Sequence, residues 1–289
     1  MSDAALRELE REVLGRPADV DLRRRHVALL RRAGEDERAV AALDLAWRLG
    51  ADELWPELEA ELARRRRQAG PITLCYVPGG PFVMGADDQD DDAAPAHLVH
   101  LSPFYVAAGP LTGAALRGSG LFAWMREDWL ARLPERALEQ TLSHAYPLTH
   151  DHAERAVEYL AGGAFDVGLP GRWALITEAQ WERVFRAALG RPDGASPYGA
   201  KPCGAEWTQD RYDPAAYGGG PRRDPPGSTT GELRVVRGAA GLPPPLFATF
   251  REAARIDGTF DVGKGTTSRW VRHEPGVHAR PVFLPQAPA

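Results

Sequence analysis

The first part of the chain alternates apolar and polar positions with the three-to-four spacing of amphipathic helices. One apolar stripe consists of Leu6, Leu9, Val13 and Leu14. A second stripe begins with Leu22, Leu29 and Leu30. This pattern predicts that the residues from about Asp3 to Arg67 form helices.

The middle of this helical part has the spacing of a two-helix repeat. Between about Val20 and Asp52, it resembles one tetratricopeptide-type hairpin, with Gly34-Glu35-Asp36 as the turn and one helix on either side. The small and apolar positions of that pattern are Leu30, Gly34, Ala39, Leu43 and Ala46. Because a single repeat cannot bury its own hydrophobic face, we expect the unit to pack on the next domain or on a partner.

A domain boundary is predicted shortly after the last of these helices. That helix, Asp52 to Arg67, ends in the basic run Arg64 to Arg67, which suits the negative end of a helix dipole; a docking signal is the alternative interpretation. Gly70-Pro71 then interrupts the pattern. We expect a helical unit at residues 1–69 and a second domain at residues 70–289.

From Ile72 onward the pattern changes to short β-rich runs separated by Gly and Pro. The predicted strands are residues 72–77, 82–85, 97–101 and 104–106, and the first two are expected to form a hairpin. Residues 151–160 and 177–189 read as helices, with Thr177 as the N-cap of the second. Long irregular loops follow, up to the prolines at 243–245. The whole pattern predicts an α+β protein preceded by a small all-α unit.

Composition and charge exclude some classes of function. The chain has 289 residues, 44% of them hydrophobic, and a net charge of -5, so nucleic acid is not an expected partner. We find no signal peptide and no apolar run long enough to span a bilayer, and we therefore expect a cytoplasmic protein that does not bind membranes. The excess of Arg over Lys, with abundant Ala and Pro, suggests a GC-rich, bacterial coding bias. The only thiols, Cys75 and Cys203, form no zinc or disulfide pattern.

Six ordered motifs resemble the sulfatase-modifying-factor family, whose best-known member is the formylglycine-generating enzyme. They span roughly residues 72 to 272. The motifs are residues 77–85, residues 94–112, residues 146–159, residues 175–199 with Thr177-Glu178-Ala179-Gln180-Trp181-Glu182, residues 206–208, and residues 234–238 with 251–255. The resemblance implies a C-type-lectin-like sulfatase-modifying-factor fold with little regular secondary structure.

The resemblance also implies which chemistry is missing. The family's formylglycine-generating enzymes carry two copper-binding cysteines just after the Arg-Gly-Gly motif, whereas residues 237–249 here contain none. Since a cuprous ion selects thiolates, formylglycine-generating activity is not expected. Cys75 and Cys203 lie in other motifs and are interpreted as small buried residues, with a relocated thiol site as the alternative. At the family's calcium position, the oxygen ligands that remain are Glu206 and backbone carbonyls, so calcium is at most a residual cofactor. No other cofactor is predicted.

Histidines and acidic residues offer weaker metal patterns. His97 and His100 lie on opposite faces if their segment is extended, and we interpret them and His150-Asp151-His152 as surface or hydrogen-bonded histidines rather than iron ligands. The acidic run at residues 87–92 lacks the Gly and the distal Glu of an EF-hand loop. A solvated loop is the expected structure.

The candidate binding residues lie near the C-terminal motifs. Arginines at matched positions could bind carboxylate or phosphate, or could form structural ion pairs, and the sequence leaves both open. Residues 219–228 and 242–250 are the loops expected to contact a partner. The predicted ligand- or partner-binding residues are Arg237, Leu242, Phe247, Phe250, Arg251 and Arg255.

These observations favour a non-catalytic binding or adaptor protein that recognises a protein or peptide partner through its helical unit and its C-terminal loops. The alternative is a metal-dependent oxidoreductase with an altered non-haem iron or copper site in the same fold. A third hypothesis is a structural subunit that self-associates through the helical unit.

Overall fold

The computed structural model describes residues 3–16, 19–87, 91–122, 127–187, 196–220, 222–238, 252–254 and 277–286. Its N-terminal part is helical, as predicted. The helices are α1 (Asp3–Gly15), α2 (Val20–Arg32), α3 (Asp36–Arg48) and α4 (Trp55–Arg65), the last preceded by a 3-10 turn (Asp52–Leu54). Asp19 caps α2 by accepting a hydrogen bond from the Leu22 amide at 3.0 Å.

A turn at Gly34, with a positive φ of 77°, joins α2 to α3 as predicted, although Asp36, expected in the turn, already begins α3. That the two helices form a tetratricopeptide-type repeat stays a prediction. The predicted end of the last helix at Arg67 was wrong. The backbone of Arg66 is already extended, with φ -57° and ψ 141°, and the next residues form a strand. Arg64 and Arg65 instead pair with Glu61 one turn earlier.

The rest of the chain forms mixed strands and short helices. The helices are α5 (Gly113–Leu116), α6 (Glu127–Leu130), α7 (Glu135–Ser143), α8 (His150–Tyr159) and α9 (Glu178–Arg186). The strands are β1 (Arg67–Ala69), β2 (Ile72–Val77), β3 (Gly80–Met84), β4 (His97–Leu101), β5 (Phe104–Ala107), β6 (Gly171–Leu175), β7 (Glu206–Arg211), β8 (Arg222–Arg223), β9 (Arg234–Arg237), β10 (Glu252–Ala254), β11 (His278–Ala279) and β12 (Pro281–Pro285).

Within the described residues these strands form three small sheets. Their orders are β1-β2-β5-β12-β6, β10-β9-β7-β11 and β3-β4-β8. The pairs β11·β7 and β4·β8 are parallel, and the other pairs are antiparallel. The C-terminal strand β12 lies between β5 and β6, so the chain end completes the largest of these sheets. The predicted hairpin of residues 72–77 with 82–85 is not formed by direct pairing, because β2 pairs with β5 and β3 pairs with β4.

One hydrophobic cluster joins the helical part to the sheets. Leu43 and Leu58 from the helices are fully buried in the same cluster as Leu74, Val106 and Trp181. The predicted boundary at residue 70 stays a prediction, although β1 shows that the strands begin three residues before it. The mixed α+β architecture, with helices first, is confirmed.

Candidate functional site

The segment Thr177-Glu178-Ala179-Gln180-Trp181-Glu182, which we call the signature segment, forms the start of α9, and a capping box begins this helix. The Thr177 hydroxyl accepts from the Gln180 amide at 3.2 Å, and the Gln180 side chain accepts from the Thr177 amide at 3.0 Å. The predicted N-cap is therefore confirmed. Polar as well as apolar residues of α9 are buried, among them Glu178, Glu182 and Arg183.

Arg237 is the internal partner of two carboxylates on α9. Its Nη1 lies 3.0 Å from Glu178 Oε1, and its Nη2 lies 2.9 Å from Glu182 Oε2. Its guanidinium also lies 5.2 Å from the ring centre of Trp181. These charges are removed from water. Each must therefore be paired with an opposite charge for this face of the helix to be buried. The predicted role of Arg237 in binding a ligand stays a prediction.

A second buried ion pair connects α9 to the helical unit. Arg183 Nη2 donates to Asp44 Oδ2 at 2.5 Å, and both side chains are almost fully buried. Tyr198 donates to Asp44 Oδ1 at 2.7 Å, and Arg48 Nε donates to Asp44 Oδ2 at 3.0 Å. Asp44 on α3 therefore provides a buried polar contact between the helical unit and α9.

Glu206 is engaged in a bidentate ion pair. Arg280 Nε and Nη2 donate to its two carboxylate oxygens at 2.7 and 2.6 Å, and both side chains are fully buried. Trp181 Nε1 donates to the same carboxylate at 3.2 Å. The expectation of residual calcium at Glu206 stays a prediction, but a cation there would share its oxygens with a buried guanidinium.

Both cysteines are held as thiols. Burial raises the pKa of Cys75, and burial together with the neighbouring carboxylate of Glu206 raises the pKa of Cys203. Cys203 Sγ donates to Glu206 Oε1 at 3.0 Å. Since the thiolate is the nucleophile and the metal ligand, these environments disfavour thiol chemistry at neutral pH.

A cleft lies where the helical unit meets the sheet domain; we call it the junction cleft. Its volume is about 420 Å³. It combines cationic and apolar groups on a shared surface. The lining residues are Trp47, Arg48, Gly50, Asp52, Phe82, Val83, Arg183, Arg186 and Ala187. Val83 is 51% exposed although it is apolar.

The arginines of the junction cleft have more donors than the neighbouring carboxylates satisfy. Arg48 and Arg183 share Asp44. Within the described part of the chain, Arg48 Nη2 and Arg183 Nε are buried without a hydrogen-bond partner. Arg186 pairs with Glu182, which also pairs with Arg237. The side chains of Arg48 and Arg186 are 17% and 29% exposed, so the cleft presents guanidinium groups to a ligand that supplies an anionic oxygen.

The histidines of the two sequence patterns lie in different environments. His97 is partly exposed at the start of β4, and its Nδ1 lies 3.0 Å from the Pro95 carbonyl oxygen. His150 is fully buried at the start of α8 and lies 3.2 Å from the Thr208 carbonyl through Nε2. His150, Asp151 and Glu154 offer ligand atoms that all lie within 4.8 Å of one another.

Most predicted partner-binding residues lie outside the described residues, namely Leu242, Phe247, Phe250, Arg251 and Arg255. Of the other predicted loop, Arg222–Arg223 forms β8 beside β4. Asp224 accepts hydrogen bonds from the amide and the hydroxyl of Ser102 at 2.6 and 2.7 Å. Sequence reasoning missed Asp44, Tyr198 and Arg280. The residues next to an isolated polar side chain do not indicate that it pairs with a distant part of the chain.

Comparisons with known proteins agree with the resemblance over part of the chain. Residues 59–200 match the family described as sulfatase-modifying factor enzyme 1-like domain. The chain is similar to two solved structures at 16% identity each. They are a Treponema denticola variable protein 1, with 74% of this chain and 95% of that one covered at a TM-score of 0.48, and PvdO from Pseudomonas aeruginosa, with 75% and 99% covered at 0.47.

No curated protein matches the sequence. Among the described residues, the helices are too short or too polar to cross a bilayer. The matched family segment begins within α4 and ends before Glu206.

Proposed function

We propose that this protein is a non-catalytic binding protein, built on a sulfatase-modifying-factor-like domain, that recognises a carboxylate-bearing peptide segment of a protein partner at its junction cleft. The observation that carries the proposal is that two partly exposed arginines, Arg48 and Arg186, line the cleft together with the exposed apolar side chain of Val83. Guanidinium groups bind carboxylates in preference to neutral amides because the hydrogen bonds are charge-assisted.

The apolar part of the junction cleft defines the rest of the ligand. Trp47, Phe82 and Val83 line the cleft together with Arg186, and Val83 is exposed. An apolar side chain next to the carboxylate would cover these groups and remove them from water. We therefore propose a peptide in which an acidic residue and an apolar residue are adjacent, bound between the helical unit and β3.

The chemistry of the signature segment supports a role without catalysis. Its carboxylates face arginines inside the protein, and the thiols of Cys75 and Cys203 have raised pKa values. The sequence also has no cysteine between residues 237 and 249. The C-terminal loops with Phe247 and Arg251 are proposed as a second contact surface, and the cytoplasm as the place of action.

Selection of peptides against the full-length chain tests this function. A phage library that displays random seven-residue peptides is selected on immobilised protein, and the enriched peptides are measured by fluorescence anisotropy. We expect peptides with an acidic residue beside an apolar one, and a loss of about tenfold or more in affinity for Arg48→Gln, the typical effect of removing a charged hydrogen-bond donor.

The matched control is Arg172→Gln, an exposed arginine on β6 away from the junction cleft. It should leave the affinity unchanged. If no peptide is enriched, or if the enriched peptides bind Arg48→Gln and wild type equally, the proposed function is wrong. Oxygen-dependent turnover of a cysteine-containing peptide would instead support the oxidoreductase alternative.

A further inference from the structure

His150 is a buried imidazole with one nitrogen fixed and the other facing a carboxylate. It is the first residue of α8, and its side chain is fully buried. Nε2 lies 3.2 Å from the Thr208 carbonyl oxygen, which can only accept a hydrogen bond. Nε2 therefore carries the proton in the neutral ring, and the lone pair is on Nδ1.

The lone pair on Nδ1 faces another acceptor. Nδ1 lies 3.5 Å from Glu154 Oε2 and makes no hydrogen bond within the described chain. With the proton on Nε2, two acceptors therefore face each other, and a cation between them would satisfy both.

We propose that His150 Nδ1, Asp151 and Glu154 bind one divalent transition-metal ion of the zinc class. The ligand atoms of the three side chains lie within 4.8 Å of one another, and imidazole with carboxylate is a donor set that such ions accept. The hydrogen bond from Nε2 to the Thr208 carbonyl is the outer contact that orients a metal-binding histidine. Asp151 is exposed and Glu154 partly exposed, so the ion can enter from solvent.

Arg234 competes with the ion for the same carboxylate. Its Nη2 lies 3.5 Å from Glu154 Oε1, and its Nη1 donates to the Gln209 carbonyl at 3.1 Å. In the absence of metal, the guanidinium partly neutralises the carboxylate. Removing this cation should therefore strengthen metal binding, whereas removing a ligand should weaken it. If the cluster only stabilised the fold, these opposite changes in metal affinity would not be expected.

The test is calorimetric titration of the untagged full-length chain with ZnCl2, after treatment with a chelator and dialysis. We expect one ion per chain. The double variant Asp151→Asn/Glu154→Gln should bind at least about tenfold more weakly, and Arg234→Gln should bind more tightly. Glu158→Gln, the same change one turn further along α8, is the matched control and should bind like wild type. Circular dichroism verifies that each variant is folded.

Cobalt provides an independent signal. Co²⁺ added to wild type should give visible absorption bands, and the double variant should lose them while Glu158→Gln keeps them. The proposal is overturned if zinc does not bind, or if it binds with the same affinity to the double variant and to wild type. Absence of binding would mean that a proton shared between Nδ1 and Glu154 satisfies the cluster. These results do not depend on the peptide-binding function.

Discussion

The buried ion pair between Asp44 and Arg183 gives a quantitative test of how the helical unit is held. Asp44→Asn keeps the shape of the side chain but removes the charge that faces Arg183, Arg48 and Tyr198. Both members of the pair are almost fully buried, so the guanidinium of Arg183 would lose its carboxylate partner away from water. Removing one partner of such a pair costs about 3–5 kcal/mol. We expect a decrease of this size in the free energy of unfolding.

The assay is urea unfolding of the full-length chain, followed by tryptophan fluorescence and circular dichroism. Asp21→Asn is the matched control, since Asp21 is on α2 with a side chain that is 91% exposed and lies 3.7 Å from Arg24. It should change the free energy of unfolding by less than about 1 kcal/mol.

A double-mutant cycle separates the pair from the individual side chains. Arg183→Met together with Asp44→Asn should destabilise the protein by less than the sum of the single changes, with a coupling of about 1–3 kcal/mol. A decrease below about 1 kcal/mol for Asp44→Asn, or simple additivity in the cycle, would refute the reasoning.

Three further predictions concern a cap, a pH dependence and the thiols. Thr177→Ala should lower the free energy of unfolding by about 1 kcal/mol because the capping box of α9 is lost, and Thr177→Ser should restore most of it; equal loss in both variants would contradict this. The pKa of His26 is lowered by burial, with Arg23 and Arg38 acting in the same direction and Glu10 against them, so protonation favours the unfolded chain. Stability should therefore fall as the pH decreases below about 6.5, the pKa of an unperturbed histidine. Urea unfolding at pH 7 and pH 5 should show a smaller decrease for His26→Leu than for wild type, and an equal decrease would count against this assignment. Cys75 and Cys203 should react slowly with a disulfide reagent in the native protein and fast in urea, and rapid native reaction would show that the raised pKa values are wrong.

Local signals in the sequence predicted local structure. The hydroxyl of Thr177 before an amphipathic run gave the start of α9, and the β-rich runs at residues 72–77, 97–101 and 104–106 became strands at nearly the same bounds. The glycine at residue 34 marked the turn between α2 and α3, because its positive φ is readily adopted by glycine. These features depend on neighbours within a few residues, which sequence patterns record.

The pairs that build the interior could not be predicted in this way. Asp44 and Arg183 are 139 positions apart, and Glu206 and Arg280 are 74 positions apart. A charged residue on an amphipathic helix has the same local pattern whether it faces solvent or a distant partner. Strand pairing was missed for the same reason, since β2 was expected to pair with its neighbour in sequence but pairs with β5. The junction cleft arises from such long-range contacts, so no local motif indicates it.

Recognition of a carboxylate at the junction cleft is tested most directly by a titration in which both the peptide and the protein are varied. An enriched peptide and its Asp→Asn or Glu→Gln counterpart are titrated calorimetrically into wild type and into Arg48→Gln. We predict that the amide peptide binds wild type about tenfold or more weakly than the acidic peptide, and that the difference largely disappears in Arg48→Gln. Equal affinities of the acidic and amide peptides for wild type would contradict the account.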